Sequence, residues 1–317
     1  MTDATRLRAQ KAYSTDPDYL ERMACAEDGA NPLRVRYQRP AAPLRPYISG
    51  YSFSEVAVDS PPWLLQPGWA YFRFALVGHS VTRMAAGESS SRDFPARICG
   101  PTSHAYELTA SAPARGIGVG LLPLGWAHFV GLPAHRFADR VVPFDTAFPG
   151  DGERLLAALR AAPDDRAAKL VLDDYLLGLH ARRPRPQRHV VRAHELLMDP
   201  KVSTAEQLAR GLGLSSRHVA RLSLDMFGFT PKLLLRRQRF LRTLDLLRDK
   251  PRRPWATLLD ATYHDQAHFV RDCHRFLGMS PSAFFTRQRA FFDLVTSLRR
   301  QAIGQSLQGL HPAAEPA

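Results

Sequence analysis

Cysteine is scarce in this sequence, and long apolar runs are missing. Its three cysteines, Cys25, Cys99 and Cys273, lie far apart without metal-type or disulfide-type spacing, which favours a reducing compartment. The longest uncharged apolar run, residues 116–133, contains two prolines and several glycines, so it predicts strands and turns, with no membrane partner. The first 22 residues lack the apolar core of a signal peptide. We therefore expect a cytoplasmic protein.

The common catalytic motifs are missing as well. No G-x-S-x-G, P-loop or H-E-x-x-H pattern occurs, and the glycines of residues 116–120 do not have the spacing of a dinucleotide-binding loop. The sequence therefore predicts a protein that is not an enzyme and needs no cofactor.

Acidic residues are outnumbered by basic residues in only one part of the chain. Residues 1–180 hold 19 Lys and Arg residues against 19 Asp and Glu residues, whereas residues 181–300 hold 24 against 10. Nearly all of the net charge of +13 therefore comes from about 120 residues. A neutral region joined to a strongly basic one indicates a domain that binds a polyanion.

The chain divides into five predicted regions. Residues 1–36 form an N-terminal extension, and residues 37–180 a domain that begins with short aromatic and β-branched runs punctuated by Gly and Pro. Two helical patterns close this domain, and the Pro/Arg stretch 181–189 is the predicted linker. Residues 190–298 are predicted to be all-helical, and residues 299–317 to form a tail whose last part, from Gly304, is disordered.

The fold class that follows is α+β. We expect an antiparallel β-rich N-terminal domain, cupin-like or related, with trailing helices, and an all-α C-terminal domain. Aromatic residues of the β-rich region could line an effector pocket, but core packing explains them equally well, so the effector site stays unassigned. These residues are Trp69, Tyr71, Phe72, Phe74 and Trp126.

The basic region contains an internal repeat at an offset of 50 residues. "SRHVARLSLDMFGFTPK" (216–232) aligns with "QAHFVRDCHRFLGMSPS" (266–282). The identical pairs are His218 and His268, Arg221 and Arg271, Gly228 and Gly278, and Pro231 and Pro281. Each copy predicts a helix of about twelve residues, and the spacing indicates one structural unit used twice.

The ends of these helices have clear signals. Ser215 and Asp265 are suited to be N-caps, and Gly228 and Gly278 to end the helices with positive φ. A capping box from Ser203 to Glu206 is predicted to open a short helix before the first copy. Short helix, tight turn and longer helix form a helix-turn-helix unit, whose second helix can enter the major groove of DNA.

The region from about residue 188 to 290 resembles the DNA-binding domain of AraC/XylS-type transcription regulators. The resemblance is carried by "LARGLGLSSRHVARLSLDMFGFTPKLLLRRQRF" and "YHDQAHFVRDCHRFLGMSPSAFF". It implies two helix-turn-helix units joined by a long helix, here from Pro231 to about Arg248. The second turn departs from the family pattern, because Ala261-Thr262-Tyr263 contains no glycine. Residues 37–180 more weakly resemble the sensor or dimerisation domain of such regulators.

The outward faces of the two longer helices are the predicted DNA-binding surface. Arginine can bind guanine O6 and N7 with two hydrogen bonds, although most protein–DNA hydrogen bonds go to phosphate and sugar. Arg217 could therefore bind either a base or a phosphate, and the sequence does not decide between the two contacts. The predicted DNA-contacting residues are Ser216, Arg217, His218, Ala220 and Arg221 in the first helix, and Gln266, Ala267, His268 and Arg271 in the second.

The connecting helix is predicted to supply phosphate contacts from Arg236, Arg237 and Arg239. The expected partners are double-stranded promoter or operator DNA, a small-molecule effector, RNA polymerase and a second copy of the chain. Activation and repression remain equally open.

A metal-binding protein or metal-dependent enzyme is the alternative. His264, His268 and Cys273, with Asp265, have zinc-ligand chemistry. If Asp265 caps a helix, however, His264 precedes that helix, and Cys273 lies about 140° around the axis from His268. The side chains would not converge, so no metal site is predicted.

Overall fold

The computed structural model describes residues 33–59, 61–182, 188–249, 263 and 265–314. Its N-terminal half is built on one antiparallel sheet with the strand order β1-β2-β7-β4-β6-β8, in which β3 pairs with β7 and β5 with β4. The strands are β1 (Leu33–Gln38), β2 (Ile48–Val56), β3 (Trp63–Leu65), β4 (Tyr71–Met84), β5 (Gly87–Ser90), β6 (Ala96–Cys99), β7 (Tyr106–Leu121) and β8 (Val141–Pro143).

The two faces of this sheet have different side chains, because successive residues of a strand point to opposite sides. One face carries large apolar groups such as Phe53, Phe72 and Val119, all buried in the main core. That core is closed by α2 (Asp151–Ala161) and α3 (Asp165–Arg182), which follow the sheet in the chain. On the other face, the central strands carry serine and glycine, and this difference matters for a cavity described below.

The predicted α+β class is confirmed: an antiparallel β-rich domain with trailing helices precedes a helical domain. The short α1 (Pro123–Gly125) follows β7. The helical domain consists of α4 (Arg188–Met198), α5 (Ala205–Leu212), α6 (Ser216–Phe227), α7 (Pro231–Asp249), α8 (Gln266–Leu277), α9 (Pro281–Arg287) and α10 (Arg289–Ile303). None of the helices in the described part of the chain is long and apolar enough to cross a membrane.

The 50-residue repeat has a direct structural counterpart in α6 and α8. Both helices have twelve residues, and the side chains of Ser215 and Asp265 accept hydrogen bonds from the third backbone N–H of their helices. Both helices end at a left-handed glycine, Gly228 with φ 86° and Gly278 with φ 73°. Glycine reaches this conformation without the steric cost that a Cβ brings. The predicted caps of both helices are therefore confirmed.

The capping box of α5 was misplaced by one residue. The structure has Thr204 as the N-cap and Gln207 as its partner, with both reciprocal hydrogen bonds present, in place of Ser203 and Glu206. The Gln207 amide oxygen also accepts from the backbone N–H of Ser203. Because Ser203-Glu206 and Thr204-Gln207 share the same spacing, the sequence pattern alone fitted both registers.

The last residues pack against both halves of the chain. The disorder predicted from Gly304 onward is wrong for residues 306–310, which are mostly buried, and α10 continues to Ile303. The Gln308 side chain accepts a hydrogen bond from the backbone N–H of Trp69 at 2.8 Å. It donates to the backbone carbonyl oxygens of Ala70 and Leu121 at 3.1 and 3.0 Å. This segment thus ties the end of the helical domain to the sheet. The domain limits predicted from the sequence stay predictions.

Candidate nucleic-acid interface

The N-terminal half of α6 is its exposed part. Ser216, Arg217, His218 and Arg221 are exposed, whereas Val219 is buried in the core shared by α4, α5 and α7. Ala220 is half-buried. The C-terminal half of α6 lies against the β-rich domain, where the His135 imidazole lies 3.6 Å from the Asp225 carboxylate. The side chains predicted to contact DNA therefore lie on the part of α6 that the β-rich domain leaves open.

The same arrangement holds for α8. Gln266, Ala267 and Arg271 are exposed, and Phe269, Cys273 and Phe276 form the buried side. Arg271 is only loosely paired, with its guanidinium 4.0 Å from the Asp265 carboxylate.

His268, like Ala220, is less exposed than the other residues predicted to face outward. It is half-buried, and its Nε2 lies 2.9 Å from a guanidinium nitrogen of Arg239. Burial first, and the nearby Arg239 charge second, lower the pKa of His268. The imidazole is therefore neutral near pH 7 and acts as an acceptor toward Arg239.

A groove of about 570 Å³ with a basic wall lies between the start of α5, one face of α7 and α8. Lys232, Arg236, Arg239 and Arg242 follow one another along α7 at spacings of three and four residues, so they share one face. Arg271 of α8 and the N-terminal residues of α5 complete the lining. Lys232 and this helix start were missed from the sequence, although the helical spacing of the basic residues was a usable signal.

A buried carboxylate holds two of these arginines in position. Asp272 is fully buried, and it accepts hydrogen bonds from Arg236 at 2.6 Å, Arg239 at 3.3 Å and the Tyr263 hydroxyl at 2.8 Å. The Arg239 guanidinium also stacks over the Tyr263 ring at 4.6 Å. Arg236 and Arg239 are therefore fixed to α8 while they line the groove, and their predicted phosphate contacts stay predictions.

The predicted phosphate contact of Arg237 is wrong. Its side chain is fully buried and points away from the groove, because one residue along a helix turns by about 100°. The guanidinium donates to the carbonyl oxygens of Gly68 and Thr102 at 3.1 and 2.9 Å and lies 4.1 Å from the Trp69 ring centroid. Burial lowers its pKa to about 9. Arg237 thus joins the helical domain to the sheet.

The metal alternative is not supported. Within the residues that the structure describes, no group of three or more His, Cys, Asp or Glu side chains could hold a metal ion. Cys273 is buried in the apolar core around α8, where burial raises the pKa of its thiol. His264 and the glycine-free turn at Ala261 and Thr262 lie outside the described residues.

The comparisons with known proteins match both halves of the chain. Residues 208–287 match a family model described as a helix-turn-helix domain, and residues 36–143 match a domain of unknown function (DUF6597). The helix-turn-helix unit of α5 and α6, the matching helix α8 and this family match define the class: a DNA-binding transcription regulator. The first helix predicted for the second unit lies outside the described residues. Within that class, the match over residues 208–287 agrees with the resemblance of this part of the chain to AraC/XylS-type regulators. No curated protein matches the sequence.

Several solved structures are distantly similar. A crystal structure of ToxT from Vibrio cholerae is 8% identical, covers 74% of this chain and 97% of its own, and has a TM-score of 0.42. Another ToxT structure, bound to (E)-4-(8-methylnaphthalen-1-yl)but-3-enoic acid, is 7% identical with the same coverage and score. The AraC-like transcriptional activator CuxR is 17% identical, covers 70% of this chain and 79% of its own, and has a TM-score of 0.22.

Proposed function

We propose that this regulator binds promoter or operator DNA by placing α6 and α8 in two neighbouring major-groove segments of one duplex. The observation that carries the proposal is the matched exposure of the two helices, with Arg217 on one and Arg271 on the other. Exposed polar side chains near the start of such helices are the ones that reach base edges. Ser216, His218, Ala220 and Arg221 would act with Arg217, and Gln266, Ala267 and His268 with Arg271.

The basic groove along α7 would follow the DNA backbone. Lys232, Arg236, Arg239 and Arg242 line one wall, and the start of α5 opens onto the same space. Backbone N–H groups at a helix start and basic side chains both favour phosphate oxygens. These contacts would supply affinity without sequence preference, and the exposed faces of α6 and α8 would supply the preference.

We also propose that the β-rich domain receives a small-molecule effector, and that a second copy of the chain and RNA polymerase are partners at the promoter. The support for the effector is a cavity in this domain that borders the helical one. In this scheme the protein works on the chromosome in the cytoplasm and performs no catalysis.

The test is binding of a promoter fragment, followed by fluorescence anisotropy over a range of salt concentrations. The affinity should fall on a log–log plot with a slope of about −0.9 for each phosphate contacted. The double variant Arg217→Ala/Arg271→Ala should lose sequence preference while keeping its circular dichroism spectrum. Arg154→Ala, which removes an exposed charge from α2, is the control and should bind as the wild type does.

Wild-type affinity in the folded double variant would contradict the proposed roles of α6 and α8. Affinity that does not change with salt would contradict the role of the basic groove.

A further inference from the structure

The second face of the sheet lines a partly open cavity that the DNA-binding function does not use. Ser52 and Ser54 of β2 and Gly116 of β7 have small side chains or none, so they leave space where the other face has phenylalanine and valine. The resulting cavity has a volume of about 130 Å³. An apolar cavity of about 150 Å³ is large enough to bind benzene in another protein, so this one suits a compact ligand.

The two ends of the cavity differ in chemistry. Leu33 and Val35 of β1, with Val56 of β2 and Trp63 of β3, give one end an apolar wall. Arg73 of β4 and Arg97 of β6 lie at the other end. In the strand order, β2 and β4 are separated by β7 alone, so the two ends are about 10 Å apart at ~4.8 Å per strand.

The two arginines lack the partners that a buried cation normally has. Arg97 is only 3% exposed, and its guanidinium donates to Ser80 Oγ at 2.7 Å and to the Phe94 carbonyl oxygen at 3.4 Å. Arg73 is half-buried, donates to the Tyr106 hydroxyl at 3.0 Å and lies 5.1 Å from the Tyr71 ring centroid. Across the described residues, neither guanidinium forms an ion pair, and the Nε atoms of both are buried without a hydrogen-bond acceptor.

A buried cation is stabilised when an anion with matching hydrogen bonds accompanies it. The guanidinium fork fits the two oxygens of a carboxylate. Arg36 shows the contrast within the same sheet, because it is buried as well but forms ion pairs with Asp165 and Glu55. The uncompensated charge therefore occurs at the cavity and not at every buried arginine of the sheet.

We infer that this cavity binds a small organic monocarboxylate, with its carboxylate at Arg73 and Arg97 and an apolar body, about one ring in size, against Trp63 and the β1 side chains. The inference gives a chemical class to the effector proposed above. Ligand binding itself is measured without DNA, so its failure and a failure of DNA binding are separate results.

The position of the cavity suits a regulatory ligand, because the helical domain supplies part of its wall. Phe291 and Val295 of α10 line it, and Phe291 stacks on Trp63 with ring centroids 5.9 Å apart. The next residue of α10, Phe292, packs on Phe284 of α9 within the core that also holds α8. A bound ligand therefore contacts α10, which packs through α9 against the core that holds α8.

Isothermal titration of the full chain with three probes tests the inference. Phenylacetate has both the charge and the ring, 2-phenylacetamide lacks the charge, and acetate lacks the ring. Phenylacetate should bind with one site per chain and at least about tenfold more tightly than either of the other two. The amide cannot form the charged hydrogen bonds with the guanidinium groups, and acetate buries no ring against the apolar wall. Equal affinity for phenylacetate and 2-phenylacetamide would overturn the role of the arginines.

Variants locate the binding. Arg97→Gln should weaken phenylacetate binding at least about tenfold, whereas Arg83→Gln, on the exposed part of β4, should not change it. Because Arg97→Gln could disturb folding, Ala110→Leu provides a second variant that fills the cavity with an apolar side chain. It should abolish binding in a protein whose circular dichroism spectrum matches the wild type. Undiminished binding in folded Ala110→Leu, or no phenylacetate binding by the wild type, would overturn the site.

Discussion

Arg237 and Lys232 lie five residues apart on α7 and have opposite environments. Arg237 is fully buried against Trp69 and two carbonyl oxygens of the sheet domain, whereas Lys232 is exposed at the basic groove. Net charge per region could be read from the sequence, but it does not separate an arginine that binds phosphate from one that joins two domains. Helical spacing separates them, because Lys232, Arg236 and Arg239 share a face that Arg237 does not.

Arg237→Ala should therefore change stability and not DNA affinity. The variant loses two hydrogen bonds from a charged group and leaves a large cavity, so the free energy of unfolding should fall by roughly 2–4 kcal/mol in urea titration. Lys232→Ala is the matched control, with an unfolding free energy within about 0.5 kcal/mol of the wild type.

The salt dependence of DNA binding should change in Lys232→Ala and stay as in the wild type in Arg237→Ala, the reverse of their effects on stability. Lys232→Ala should make the log–log slope shallower by about 0.9, the contribution of one phosphate contact. Arg237→Ala should keep the wild-type slope at a temperature where it is folded. A shallower slope for Arg237→Ala together with unchanged stability would show that Arg237 contacts DNA after all.

The two helices of the repeat could be predicted mainly from the residues at their ends. Caps, glycines and apolar spacing predicted α6 and α8 with the right length and the right 50-residue offset, because each of these signals acts within a few residues. What the repeat could not reveal is that the two copies have different neighbours. The end of α6 packs against the β-rich domain, whereas a Cβ added at Gly278, after α8, would meet nothing within 4 Å.

This difference predicts unequal effects of the same substitution in the two copies. Gly278→Ala should lower the free energy of unfolding by about 1 kcal/mol, because the new Cβ lies in open space and only the left-handed backbone conformation is unfavourable. Gly228→Ala has the same backbone cost, and its Cβ would also lie 2.7 Å from Cγ of Pro101 in the β-rich domain. We expect a further loss of about 1–3 kcal/mol, measured by urea unfolding of both variants. Equal losses would argue against contact between α6 and the β-rich domain.

At the scale of the whole molecule, the two halves of the chain form a shared interior. Local sequence signals predicted each half separately. The sequence placed Arg237 among the phosphate contacts and Gln308 in a disordered tail, whereas both residues join the two halves. Neither role could be found from periodicity, because both residues form their main hydrogen bonds with chain more than 130 residues away. The cavity was missed for a similar reason, since it needs side chains from strands that are distant in sequence.

The shared interior should make stability depend on pH through His194. This residue of α4 packs against Trp69 and Phe227, and burial lowers its pKa to about 3. Because the folded pKa lies below the unfolded value of 6.5, the stabilising contribution is complete above pH 6.5 and is lost as the pH falls toward 3. Unfolding in urea should therefore show a loss of roughly 1 kcal/mol from this residue between pH 7 and pH 5.5.

His194→Phe keeps a ring at this position and removes the titrating group, so its unfolding free energy should decline less between these pH values. His189→Gln, on the exposed side of the same helix, should decline as the wild type does. A wild-type pH dependence in His194→Phe would contradict the buried neutral imidazole.

If α6 and α8 bind two separate segments of one DNA duplex, selection of preferred sites from random DNA will reveal both segments. Wild-type protein should select two blocks of defined bases whose centres are about one helical turn, ~10 base pairs, apart. Arg217→Ala should relax one block and Arg271→Ala the other. Selection of a single block, or relaxation of the same block by both variants, would show that α6 and α8 do not bind separate segments of the duplex.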